Sequence, residues 1–238
     1  MSNRYKLVFA IRFSGYLLFF TGLLAIVFLL GPLLEAEVKY RVNRVFGVKK
    51  TVASVTATAP AGPTINEPVA TSDNGSLNSF SNIEEAEANQ IIPVSTDFGI
   101  VIEKIDANAK IIANVNPSDE KEYSKALKVG VAQALGSTAP GEKGNLYLFS
   151  HSTDAPWNII RFNAIFYLLK ELVAGDRVII FYQNKRYDYI VFDKQVVSPA
   201  DVSFLTNVYD VPVLTLQTCD PPGTLLNRLI IRAKLVNS

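Results

Sequence analysis

Cysteine, histidine, tryptophan and methionine each occur once in these 238 residues. A single cysteine excludes an intramolecular disulfide, so any domain here is held by its core rather than by covalent staples. One cysteine and one histidine cannot make a four-ligand zinc centre without two carboxylates, and no Asp/Glu spacing hints at one. The chain therefore reads as needing neither a metal nor a cofactor. Excess charge is lacking too: the formal net charge is +1, which gives no global field to draw in nucleic acid. Gly130, Gly136, Gly141 and Gly144 lie too far apart for a phosphate-cradling loop, and there is no internal repeat.

Two stretches are defined by a local absence. Between Arg12 and Glu35 there is no charged residue, and Phe13 to Leu34 is mostly Leu, Phe, Ile and Val. About 20 helical residues cross the hydrocarbon core of a bilayer, so residues 13–34 read as a transmembrane anchor after a short tail, residues 1–12. A cleaved signal peptide would have a shorter apolar region, and Leu34-Glu35-Ala36 is a poor small-x-small site. Beyond the run, Leu34, Val38, Val42 and Val45/Phe46 recur at helical spacing, with Lys39, Arg41 and Arg44 mostly off that stripe. Residues 35–50 fit an amphipathic helix on an anionic membrane surface, and equally a plain continuation of the anchor helix. The second absence is of Lys and Arg between Thr51 and Gln90, where Phe80 is the single aromatic. Such a composition buries too little apolar surface to offset its ordering entropy. As a flexible linker, about 40 residues span roughly 35 Å.

The remainder, residues 91–238, carries short β-like runs separated by turn signals. Strands are predicted at 99–105, 110–115, 131–135, 145–152, 176–182, 186–197, 211–219 and 228–236. Asn116-Pro117 opens a helix through about Lys128, with Asn as cap and Asp119/Glu120 suiting the N-terminal dipole. A second short helix covers Asn163–Leu172 and ends at Ala174-Gly175. Eight strands and two short helices suit a mostly β, closed mixed barrel.

The chemistry-bearing residues are few. Cys219 closes the strand Thr215-Leu216-Gln217-Thr218-Cys219, just before Asp220-Pro221-Pro222-Gly223. Alternation puts Cys219, Gln217 and Thr215 on one face and Leu214 and Leu216 on the other. A lone cysteine in an apolar strand is usually a buried hydrophobe, but a strand exit at a loop gives a nucleophile access. His151 closes Leu146-Tyr147-Leu148-Phe149-Ser150 and is the one imidazole able to move protons near neutral pH. Arg228 opens the run Leu229-Ile230-Ile231, with Arg232 four residues on and Arg161 as further candidates. A thiol, an imidazole and a guanidinium suffice for acyl transfer.

These residues resemble the sortases, membrane-anchored cysteine transpeptidases of bacteria. The family carries a Thr-Leu-x-Thr-Cys strand, matched by Thr215, Leu216, Thr218 and Cys219, with a His ending an earlier strand and an Arg opening the next. Phe98-Gly99-Ile100-Val101-Ile102 is similar to the opening strand of its barrel, and Pro140–Asn145 to the turn before the His strand. The resemblance covers roughly residues 97–236. It implies a sortase-like β-barrel in which Cys219 is nucleophile, His151 general acid/base and Arg228 oxyanion stabiliser. The implied reaction cleaves a C-terminal Leu-Pro-x-Thr-Gly-like sorting signal through a Cys thioester. The implied partners are surface proteins bearing such signals, an amine acceptor (a cell-wall precursor or pilin-like lysine) and the membrane, with no nucleic acid. Asp154-Ala155-Pro156-Trp157 resembles, by letters, the lid motif of pilin-polymerising sortases, but lies after the His.

The expected location is the cell membrane, single-pass, with the catalytic domain outside. Lys39, Arg41, Arg44, Lys49 and Lys50 follow the span and, counted alone, point the other way. Two alternatives use the same residues differently. A thiol hydrolase would let water resolve the thioester, and a non-catalytic membrane-tethered β-domain would bind extracytoplasmic peptides with Cys219 in its core.

Overall fold

A computed structural model describes residues 3–47, 50–52, 90–152 and 165–237. Strands β3 (Phe98–Ile102), β4 (Ala107–Val115), β5 (Val131–Ala134), β6 (Gly144–Phe149), β7 (Arg177–Tyr182), β8 (Lys185–Val197), β9 (Pro212–Asp220) and β10 (Asn227–Asn237) form a closed barrel. Its order is β10-β8-β7-β3-β4-β5-β6-β9, with β4/β5 and β6/β9 parallel and the other neighbours antiparallel. This is the mostly β, eight-stranded closed barrel expected from the period-two pattern. Its interior is filled by one side-chain set from each strand, among them Ile100, Ile102, Leu146, Leu148, Leu214, Leu216, Leu229 and Ile231. Burying such a side chain contributes roughly 1.5–3 kcal/mol, so a one-residue slip of any strand would turn its apolar set outward.

The opposite faces of β5, β6 and β10 are covered as well. Tyr147, Phe149 and Ile230 pack there with Ala126 and Leu127 of helix α2 (Glu120–Leu127) and with Phe204 of the helical turn Ser203–Thr206, an element absent from the sequence reading. Asp119, rather than Asn116, caps α2: its Oδ1 accepts from the backbone N–H of Lys121 at 2.9 Å and of Glu122 at 3.3 Å. Asn116 instead forms a turn, its Oδ1 accepting from Ser118 N–H. The second helix is a 3-10 turn, Tyr167–Glu171, and residues 163 and 164 lie outside the described ones. Residues 103–105, read as the end of a strand, are also a 3-10 turn.

At the N-terminus one helix covers both the uncharged run and residues that follow it. Helix α1 runs unbroken from Asn3 to Val45, so residues 35–45 continue the helix across the boundary drawn after Leu34. Among the described residues no helix is long and apolar enough to cross a membrane. The described side chains of the uncharged run end at Val27, and its large apolar residues, Phe13 to Val27, are exposed. Of the basic residues past the run, Lys39 and Lys50 reach the turn between β3 and β4, while Arg41 pairs within α1. Lys39 and Lys50 both pair with Asp106, at 3.2 and 2.6 Å, and Arg41 pairs with Glu37 at 3.0 Å. Tyr40 packs against the interior cluster.

The ends of the stretch 51–90 are strands, not coil. Thr51–Val52 (β1) pairs in parallel with Gln90–Ile91 (β2), and Val52 N–H donates to Glu103 Oε1 at 2.9 Å. Val52 and Ile91 bury against Val101, Ile179 and Phe181 on the outer face of β3 and β7. That is why β3 is buried on both sides. Gly99 sits on that outer face, where a Cβ would lie 2.1 Å from the Ser95 carbonyl oxygen, a close approach that needs glycine. Residues 53–89 lie outside the described ones.

Candidate active site

Cys219 lies next to last in β9, half-buried, as the alternation requires: Leu214 and Leu216 point inward and are fully buried, while Gln217 and Cys219 face out. In the antiparallel pairing of β9 with β10, Arg228 stands directly opposite Cys219. Side chains so paired have Cβ atoms about 4.5–5.5 Å apart on the same face.

His151 reaches the same end of the barrel from the other side. β6 runs parallel to β9, with Phe149 level with Gln217; the strand expected to reach residue 152 ends at Phe149, and His151 lies two residues past that end, beside the end of β9. The chain between is pinned: Ser150 N–H donates to the Gln217 carbonyl at 3.1 Å, and Thr218 Oγ1 donates to the Ser150 carbonyl at 3.0 Å. Histidine, cysteine and arginine thus come from three adjacent chain segments at one end of the barrel, with β9 between β6 and β10. Thr218, buried at the strand end, holds the backbone carbonyl just before His151, a role that sequence alone did not show.

Burial pushes the Cys219 thiol above its ordinary value, and the Arg228 charge pulls it partly back. Both causes bear on the thiolate, the form in which a cysteine attacks: burial disfavours it and the Arg228 charge favours it. The sign gives a prediction. Alkylation of Cys219 by iodoacetamide should accelerate with rising pH through and beyond the range of free cysteine, about 8.5. Arg228→Gln removes the charge that favours thiolate, so its rate profile should lie further to the alkaline side. A profile shifted to lower pH would contradict this electrostatic reading.

Arg232 is set apart from these three. It stands opposite Thr215, and its Nε and Nη2 both donate to Asp193 Oδ2, at 2.9 and 2.8 Å. Its Nη1 donates to the Tyr209 hydroxyl at 3.2 Å, and its guanidinium lies over the Phe192 and Phe204 rings. All of this ties β10, β8 and the 203–209 segment together. Arg161 and the Asp154–Trp157 stretch lie outside the described residues. Among the described residues no group of His, Cys, Asp and Glu could hold a metal ion.

Residues 100–236 match the family model of the sortase domain. The chain belongs to the sortase family. Its members are cysteine transpeptidases, and the match spans the barrel from β3 to β10. Among solved structures, this sortase is similar to sortase C-1 from Actinomyces oris at 23% identity and TM-score 0.51, over 68% of this chain and 85% of that one. It is also similar to sortase C1 of GBS Pilus Island 1 at 22% identity and TM-score 0.51, over 59% of this chain and 64% of that one. These likenesses concern the fold. No curated protein matches the sortase.

The two arginines of this sortase separate by experiment. Arg228→Lys keeps the charge but loses the planar fork, so turnover should fall about 10²–10³-fold, the size of one lost oxyanion donor. Arg232→Lys should change turnover by less than roughly tenfold. It should instead lower the melting temperature by about 3–5 °C, as expected for loss of on the order of 1 kcal/mol in a domain of this size. A large turnover loss at Arg232 with little at Arg228 would move the oxyanion role.

Proposed function

We propose that this chain is a membrane-anchored transpeptidase that cleaves a C-terminal Leu-Pro-x-Thr-Gly-like sorting signal and passes the acyl fragment to an amine. The observation that supports the reading is Arg228 directly opposite Cys219, with His151 two residues past the end of the neighbouring strand β6. The Cys219 sulfur, deprotonated with His151 as acceptor, attacks the carbonyl carbon of the Thr-Gly bond. Charge gathers on the carbonyl oxygen, where the Arg228 fork donates two-pronged hydrogen bonds. The C–N bond breaks, and the glycine amine leaves with the proton from His151. An acceptor amine then attacks the thioester, gives its proton to His151 and releases the sulfur, leaving a new amide.

Support for the anchor comes from the uncharged 22-residue run Phe13–Leu34, whose described apolar side chains are exposed along a continuous helix. Exposed apolar surface on that scale needs an apolar surrounding. The proposed partners are surface proteins bearing sorting signals and an amine acceptor, a cell-wall precursor or a pilin-like lysine, with the catalytic domain outside the cytoplasm.

The test incubates the full chain in detergent with a panel of sorting-signal peptides, each with and without an amine acceptor, and reads products by mass spectrometry. The expected product is the amide of the acceptor. Cleavage to the free acid alone, with the amine ignored, would replace transfer by hydrolysis. No Cys219-dependent product from any peptide would remove the enzyme reading.

A further inference from the structure

Gln217, the variable letter of Thr-Leu-x-Thr-Cys, is half-exposed on the same strand face as Cys219, two residues back. At about 3.3 Å per residue the two lie some 6–7 Å apart along the strand. Its carbonyl end is taken: the Tyr147 hydroxyl, on the neighbouring strand β6, donates to Gln217 Oε1. Tyr147 is only 3% exposed, so its phenol is fixed by packing between Phe149, Ile230 and Phe204. Burial raises its pKa, with Arg228 acting in the opposite sense, and the phenol stays a protonated donor throughout the working pH range. With its oxygen held by the phenol, the carboxamide is oriented, and its NH₂ group is its one donor. Gln217 shares its strand face with Cys219 and is partly exposed there, so its NH₂ group is available on the face of the thiol.

We propose that Gln217 is a substrate-binding residue whose carboxamide, oriented by Tyr147, donates to a backbone carbonyl of the acyl-donor peptide about two residues before the scissile bond. An extended peptide repeats its carbonyls at the same spacing as the strand beneath it, so a donor two strand residues from Cys219 meets a carbonyl two peptide residues from the attacked one. The donor fixes the register of the chain over the thiol, while Arg228 serves the scissile oxygen. Tyr147 acts through Gln217 as a positioning residue. This inference rests on the transpeptidase reading.

The test separates binding from structure. Gln217→Glu keeps an oxygen for the Tyr147 hydroxyl but replaces the donor with an acceptor, so the fold is retained. In the Cys219→Ala background, fluorescence anisotropy of a labelled sorting-signal peptide should show about tenfold weaker binding for Gln217→Glu. Tyr147→Phe should weaken binding by a smaller factor, and the double variant should lose no more than Gln217→Glu alone. A peptide with CH₂ in place of that one carbonyl should bind wild-type Gln217 as weakly as the normal peptide binds the Gln217→Glu variant. With Cys219 intact, the weaker binding should appear in KM more than in kcat. Affinities are compared between chains of matching melting temperature: wild-type binding by a folded Gln217→Glu variant, or indifference to the CH₂ peptide, overturns the assignment. Failure of every wild-type chain to make product while these binding differences persist would remove the activity reading and leave the peptide contact standing.

Discussion

Cys219→Ala should abolish peptide transfer completely, and a thiol-reactive label that modifies the folded wild type should find nothing to modify. The chain holds one cysteine, so no second thiol can take over. The sulfur is half-buried at a strand end, and removing it should cost less than about 1.5 kcal/mol, the lower range for deleting part of a packed side chain. The variant should therefore keep its melting temperature within a few degrees while losing all activity. That separation is the point of the experiment, because a core cysteine behaves in the opposite way. If folded wild-type Cys219 resists labelling even at alkaline pH and the alanine variant merely melts earlier, the residue is packing and the enzyme reading fails.

His151→Ala should lower turnover by roughly 10²–10⁴-fold, the range of one lost general acid–base. Both half-reactions depend on this group, since the glycine amine must leave with a proton and the acceptor amine must lose one. Thioester formation and its resolution should both slow, so single-turnover acylation and steady-state transfer fall together. Cys219 should remain alkylatable in the variant at high pH, where the thiol ionises without help. Added imidazole should restore part of the rate if the loss is chemical rather than structural. Near-full turnover without His151 would mean that another group moves the protons.

Much of the barrel follows from the order of residues alone. Each of its strands carries apolar side chains at a spacing of two, and only one barrel register buries them all. Cys219 at a strand exit, His151 just past another and Arg228 at the start of a third are likewise readable to within a residue or two, because loop residues mark where strands stop. The facing of Gln217 and Cys219 away from Leu214 and Leu216 is a consequence of alternation and needs no tertiary information.

What alternation cannot supply is the partner of each strand. Residues 221–226 could join β9 and β10 in several registers, and it is the packed barrel that sets Arg228 opposite Cys219 and Arg232 opposite Thr215. The parallel pairing of β6 with β9 brings together Tyr147 and Gln217, 70 positions apart, and no local pattern encodes so distant a contact. Composition also misjudged the ends of the stretch 51–90: Val52 and Ile91 are too few to signal a strand, yet the outer face of β3 and β7 offers them apolar surface to bury. Periodicity determines which way a side chain points. Only the closing of the barrel, through non-local burial, decides what it points at.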